Sequence, residues 1–194
     1  MMDLETILAV GGVKVREGAK DSWRAFDCEP NSLYALIKLL MDEYYFDALA
    51  DLCAIDMGED AAQRFGCVYH LFSNQRKRFI RVVAMCESNE KPKLPTLTKF
   101  FHNADWHERE AYDMMGILFD GHPNLTRVLM WDAYTWFPLR KDFPLAGKDA
   151  PIPETYGGTN PMKVEAAPME GGPFHSMPNF ENSSDREPRS REEV

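Results

Sequence analysis

The sequence has no uninterrupted apolar run near the roughly 18 residues that a membrane-spanning helix needs, which excludes such a helix. It has no Cys-x-x-Cys pair. Cys28, Cys53, Cys67 and Cys86 lie 25, 14 and 19 residues apart, a spacing that makes neither a zinc ribbon nor a local iron–sulfur motif. Gly-x-Gly-x-x-Gly and Gly-x-x-x-x-Gly-Lys are both missing, so the usual dinucleotide and P-loop fingerprints are excluded. Cations are scarce. With 22 Lys and Arg against 31 Asp and Glu, the net charge is -9, which argues against a free-standing nucleic-acid binder. The opening residues, Met1-Met2-Asp3-Leu4-Glu5, lack the basic region and apolar stretch of a signal peptide and the Arg-rich face of a transit peptide. A reducing compartment is therefore expected, with all four cysteines as free thiols.

What is present divides in two. The 194 residues are 44% hydrophobic and 27% charged, enough for one domain with a real core. Residues 1–145 carry periodic patterns and are expected to form one globular domain. Residues 146–194 hold seven of the thirteen prolines and five of the twelve glycines, a composition that makes no core of its own. Ile152, Tyr156, Met162, Val164, Met169, Phe174, Met177 and Phe180 recur there, spaced as anchors of an extended strap over a partner. The expectation is a strap over 146–180 and disorder over 181–194.

Within the body, Asp3–Val10 is predicted as a short helix. Val13–Val15 and Trp23–Phe26 are predicted strands around a turn at Gly18–Asp21. Leu33, Leu36, Ile37, Leu40, Met41 and Tyr44 fall on one face of a helix, with Asn31 or Ser32 as its cap. Strands are expected over Phe46–Ile55, Phe65–Phe72 and Phe79–Met85. The second, apolar on both faces, is placed centrally, and the loop Ser73–Arg78 makes a hairpin. The cluster Arg76-Lys77-Arg78 is assigned to a solvated tip or a partner contact, and His70 to the core. A linker from Pro92 leads to a short helix capped at Thr96 and running to Phe101. About five strands with about three interspersed helices define an α+β fold with a mixed or antiparallel sheet.

Chemistry concentrates between Trp106 and Leu145. Asp105 and Glu108 have capping-box spacing, and Gly116 is placed to end the helix they begin. Trp106, Arg109, Glu110 and Asp113 share one helical face, predicted to be partly buried. Arg109 is expected to pair with Asp113 one turn on, and Glu110 with Arg127, Arg140 or Lys141. Buried carboxylates without such partners are costly, so an ion-pair network is the expected role. His107-Glu108-Arg109-Glu110 lacks the second histidine of a zinc-binding helix, and with His122 it defines no metal site. The stretch from Trp136 to Leu145 combines prolines, Phe, Trp and cations, the makings of a rigid interface segment.

Three blocks carry a resemblance. Glu108-Arg109-Glu110-x-Tyr112-Asp113-Met114-x-Gly116-Ile117 is followed by Gly121-His122-Pro123-x-Leu125-x-Arg127-x-Leu129, then by Pro138-Leu139-Arg140-Lys141-Asp142-Phe143-Pro144-Leu145. Upstream lie Asp51-Leu52-Cys53-Ala54-Ile55-Asp56 and Tyr69-His70-Leu71. Together, over roughly 23–145, the chain resembles the C subunit of NADH-quinone oxidoreductase, the 30 kDa subunit family of respiratory complex I. Thr126 departs from the basic residue usual before Arg127.

The resemblance implies a cofactor-free structural subunit of the peripheral arm, on the cytoplasmic side of the inner (cell) membrane. It implies docking on the D subunit, with the tail running over that subunit and the B and I subunits nearby. The whole enzyme passes electrons from NADH through FMN and iron–sulfur clusters, held by other subunits, to quinone, and couples this to proton pumping. No catalytic, cofactor-binding or metal residues are expected in this chain. Glu108, Arg109, Glu110, Asp113, His122, Arg127, Arg140, Lys141 and Asp142 would form the interface and structural network. Two alternatives stand beside this: the homologous subunit of a membrane-bound hydrogenase, F420 dehydrogenase or ferredoxin-type complex, and a stand-alone hydrolase using Glu110 and Asp113.

Overall fold

The structure, a computed structural model, describes residues 4–16, 24–144 and 148. The chain divides into two units, Met1–Pro151 and Ile152–Val194, and every described residue belongs to the first. The strap expected over 146–180 (Lys148 apart), the disorder expected over 181–194 and the turn at Gly18–Asp21 lie outside the described residues.

The elements run α1 (Leu4–Leu8), β1 (Val13–Val15), β2 (Arg24–Cys28), α2 (Pro30–Asp42), β3 (Ala48–Asp56), β4 (Phe65–Ser73), β5 (Arg78–Met85), β6 (Lys93–Pro95), α3 (Ala104–Met115) and β7 (Leu118–Asp120). Five strands form one mixed sheet in the order β1-β2-β5-β4-β3, and β6 pairs with β7 in a second, parallel pair. The class is the expected α+β. The β3-β4-β5 meander is antiparallel, and β2 adds to it parallel to β5. A row of side chains in register, Phe26, Val82, Tyr69 and Leu52, crosses four strands on the buried face. Helix α2 turns Leu33, Leu36, Ile37 and Leu40 into the same core, as their spacing requires. β4 is an interior strand, paired with β5 on one side and β3 on the other, and β5 holds the middle place.

Local chemistry explains where the sequence reading missed. Helix α2 is capped at Glu29, not at Asn31 or Ser32, because Pro30 takes the first helical position, where its missing N–H leaves nothing unsatisfied. Strand β3 begins at Ala48 rather than Phe46: Tyr45 sits at φ 59, and the Phe46 N–H donates back to the Leu40 carbonyl at 3.0 Å. A register shift between Leu49 and Asp51 breaks the alternation of β3 and lets both Leu49 and Leu52 face the core. The helix expected from Thr96 to Phe101 is a single turn instead. Lys93–Pro95 before it is a strand, because Leu118–Asp120 offers a parallel partner that no local pattern reveals.

At the hairpin tip, Arg76 folds back over the Tyr44 and Tyr45 rings at 5.7 and 5.6 Å. His70 lies on the less buried face of the sheet and accepts a hydrogen bond from Arg81 Nε at 2.9 Å. Cys28, Cys67 and Cys86 are buried free thiols, and Cys53 is an exposed one. Burial pushes the Cys28 and Cys86 thiols up to about 12, which keeps them inert.

Candidate functional site

Helix α3 organises the site. It starts at Ala104 with Asn103 as N-cap, not at a capping box of Asp105 and Glu108. The preceding turn supplies the capping: the Ala104 and Asp105 N–H groups donate to the Phe101 and His102 carbonyls at 3.1 and 3.3 Å. Asn103 Nδ2 donates to the Leu49 carbonyl at 2.8 Å, tying the helix start to strand β3. Gly116 ends the helix as predicted, at φ 75. A Cβ there would also lie 2.5 Å from Arg140 Nη2 and 2.8 Å from the Phe137 ring. The glycine thus allows both the turn and the close approach of the following chain.

The helix carries two fully buried carboxylates, Glu108 and Asp113. Asp113 pairs with Arg127, not with Arg109. Arg127 Nη1 donates to Asp113 Oδ1 at 2.6 Å, and the successive N–H groups of Val128, Leu129 and Met130 donate to Oδ2 at 3.0, 2.7 and 2.9 Å. A chain segment with no ladder partner of its own therefore closes its backbone donors on one carboxylate. Burial alone would raise the Asp113 pKa. The Met130, Leu129 and Val128 N–H groups and Arg127 overcome that and hold it below its usual 3.8. The Arg127 guanidinium sits among the Phe137, Tyr134 and Tyr112 rings at 5.3, 5.6 and 6.0 Å.

Arg109 turns to the same segment. It donates to the Thr126 carbonyl at 3.2 Å and to Thr126 Oγ1 at 3.0 Å, lies 3.9 Å from Asp105 Oδ2, and stacks 4.8 Å above Trp106. Thr126, the departure from the usual basic residue before Arg127, thus acts as an acceptor. Glu110 is exposed, and of the cations expected beside it Arg127 turns to Asp113 and Arg140 to the Met115 carbonyl.

Glu108 differs from Asp113. It accepts from the Leu97 N–H at 2.7 Å and from Thr96 Oγ1 at 2.6 Å. The His122 ring lies beside it, with Nε2 3.9 Å from Oε2. Burial, opposed by Thr96 and Leu97, pushes the Glu108 carboxyl up to about 7.

A third buried carboxylate, Asp56 at the end of β3, holds the last motif. Arg64 grips it through Nε and Nη2 at 2.9 and 2.8 Å, and the Gly58 and Lys141 N–H groups donate at 2.9 and 2.8 Å. These contacts, Arg64 first, hold Asp56 well below the usual carboxylate range. Arg64 also bonds Asp142. Arg140 donates through Nε to the Met115 carbonyl at 2.7 Å and lies 4.4 and 4.7 Å from the Phe137 and Phe65 rings, with Arg64 4.6 Å from Phe65. The Leu139 N–H donates to the Met114 carbonyl at 3.1 Å.

The motif charges Arg127, Arg140, Asp113 and Glu108 are thus turned into the fold, while the Lys141 side chain is exposed. Three large apolar side chains stand exposed beside them: Leu129 at 61% and Leu139 at 57% on the segment, and Trp106 at 60% on α3. Sequence reasoning missed Arg64 and the roles of Asp56 and Thr96. Asp56 ends an apolar strand and is a signal in retrospect; Arg64 sits in a polar loop and gives none.

This mixed sheet, with one helix whose buried acids organise an irregular C-terminal segment, belongs to the respiratory-chain NADH dehydrogenase 30 kDa subunit family, which matches residues 26–149. The C 2 subunit of NADH-quinone oxidoreductase from Rhizobium meliloti (strain 1021) is 39% identical over 160 residues, covering 81% of this chain and 86% of that protein. The C/D subunit of NADH-quinone oxidoreductase from Sulfurihydrogenibium sp. (strain YO3AOP1) is 48% identical over 122 residues, covering 61% of this chain and 21% of that protein. Among solved structures, a trypsin-resistant fragment of Nqo5 (residues 1–134) is similar at 27% identity and a TM-score of 0.54, covering 63% of this chain and 96% of the fragment. A chain of the membrane-bound sulfane sulfur reductase, an archaeal respiratory membrane complex, shares the fold at 19% identity and a TM-score of 0.59, over 73% of this chain and 84% of that one.

Proposed function

We propose that this chain is a non-catalytic, cofactor-free subunit of an NADH-quinone oxidoreductase and that it docks on the D subunit through the surface formed by α3 and residues 122–144. Family membership supports the subunit role, and the Sulfurihydrogenibium relative, a C/D subunit, supports D as the neighbour. The observation that carries the docking surface is the inward turn of the motif charges. Arg127 and Arg140 fix the backbone from below, and Leu129, Leu139 and Trp106 stand exposed on it. Apolar anchors on pre-ordered backbone bind without a large ordering cost.

The same reading assigns FMN, the iron–sulfur clusters and the quinone site to partner subunits. It places the B and I subunits nearby and the chain peripherally on the cytoplasmic side of the membrane. Among the described residues no helix is long and apolar enough to cross a membrane, and no group of three or more metal-ligating side chains is gathered. The hydrolase reading has no support in the geometry: both Asp113 oxygens are engaged, and Glu110 is exposed.

The test is mass spectrometry of what co-purifies with the tagged full chain. The D and B subunits of an NADH-linked complex are expected in stoichiometric amounts. Recovery of hydrogenase or F420-linked partners, or of a lone chain with turnover of its own, would overturn the assignment.

A further inference from the structure

The three buried carboxylates are not equivalent. Asp113 and Asp56 each face an arginine and two or more backbone N–H groups. Glu108, equally buried, has one backbone N–H, one hydroxyl and a histidine. The groups around it come from every packed element. Thr96 and the Leu97 N–H follow β6, His122 follows β7, and Asp105 precedes it by one turn on α3. On β4, Tyr69 and Cys67 lie close enough to feel its charge.

The donors can be followed atom by atom. His122 Nδ1 accepts from the Asn124 N–H at 3.0 Å, so the ring carries its hydrogen on Nε2. That Nε2–H faces Asp105 Oδ1 at 3.2 Å and the Asp105 carbonyl at 3.4 Å, with Glu108 Oε2 at 3.9 Å as a further acceptor. Thr96 Oγ1 accepts from the Thr98 N–H at 3.1 Å and lies 2.8 Å from Thr98 Oγ1. It lies 2.6 Å from Glu108 Oε2. With an ionised Glu108, both hydroxyls point toward the carboxylate. With a protonated Glu108, its own O–H donates to Thr96 and both hydroxyls reverse.

We propose that Glu108 is a reversible proton-binding site that switches the hydrogen bonding of the junction between α3, the 96–98 turn and the 120–124 turn. Gain of one proton at Oε2 reverses the Thr96–Thr98 hydroxyls and leaves His122 to Asp105. Loss of that proton makes Glu108 an anion that draws the His122 Nε2–H away from Asp105. Asp105 also faces Arg109, which holds Thr126, so the switch reaches the start of the outer segment. The inference does not depend on which partner the chain meets.

The proton is bound more tightly in the folded chain, so the sign is fixed. The Glu108 contribution is full below the ordinary glutamate value of 4.5 and is lost as pH rises through about 7. Over that window the unfolding equilibrium constant should rise by roughly 10²-fold on this account. Glu108→Gln mimics the protonated state: its oxygen accepts from Leu97 and its amide donates to Thr96. The experiment is urea unfolding of the full chain against pH, wild type beside E108Q, with infrared detection of protonated carboxyls. A carboxyl band titrating near 7, absent in E108Q, together with loss of the downward slope in E108Q, is expected. His122 ring signals should shift with the same midpoint in the wild type. A Glu108 that titrates near 4.5, a slope unchanged in E108Q, or a His122 response untouched by E108Q would overturn the proposal.

Discussion

A carboxylate with three successive backbone N–H groups and an arginine on it, as at Asp113, does the work of a missing β ladder. Asp113→Asn removes the charge that these donors and Arg127 were arranged around and leaves a guanidinium buried beside a neutral group. The expected loss is about 3 kcal/mol in urea unfolding near neutral pH. The folded-state pKa of Asp113 is depressed, so its contribution is present above the unfolded value of 3.8 and lost as pH falls below it. The wild type and D113N should therefore converge in acid, a direction opposite to that of Glu108. Gly116 offers a second test. Gly116→Ala meets both the positive φ and the Arg140 and Phe137 side chains, whereas Gly121→Ala, at φ 85, meets only Thr96 Cγ2 at 3.4 Å. G116A should cost about 2 kcal/mol and G121A about 1, measured by thermal or urea unfolding.

Elements were legible where the signal is periodic. Leu33, Leu36, Ile37 and Leu40 announced α2, and the double-sided apolar run of Phe65–Phe72 announced a strand with neighbours on both sides. The site was legible in composition but not in wiring. The i, i+4 rule offered Arg109 to Asp113, yet Arg127, from fourteen residues on, took the place because the segment around it also had N–H groups to satisfy. Asp105 and Glu108 had the spacing of a capping box, but Glu108 found Thr96 and Leu97, partners set by the fold. Arg64 looked like part of a solvated loop and instead binds Asp56 and Asp142. The role of Asp56 can be checked at this scale. Asp56→Asn should release the Lys141 amide, so hydrogen exchange there should speed up at least about tenfold while the β4 amides stay protected. Equal acceleration in β4 would mean that Asp56 supports the sheet and not the segment.

Across the whole molecule, β2 pairs in parallel with β5, more than fifty residues later in the chain, while β3, β4 and β5 pair with near neighbours. Loop closure favours the local meander, so strands β1 and β2 should dock last in folding. The outer surface is a separate matter. The double variant Leu129→Asp, Leu139→Asp changes only exposed side chains and should leave the unfolding midpoint within about 0.5 kcal/mol of the wild type. Its recovery of the D subunit in a pull-down should fall at least about tenfold, and full recovery would place the contact elsewhere.

Asp113 and Asp56 hold the outer segment mostly by its main chain: the amides of residues 128, 129, 130 and 141 are what they grip. Main-chain amides are the same whichever letters the sequence spells, proline excepted. Such a framework tolerates rewriting of its outward residues, so recognition can drift from one assembly to another while the architecture beneath stays put.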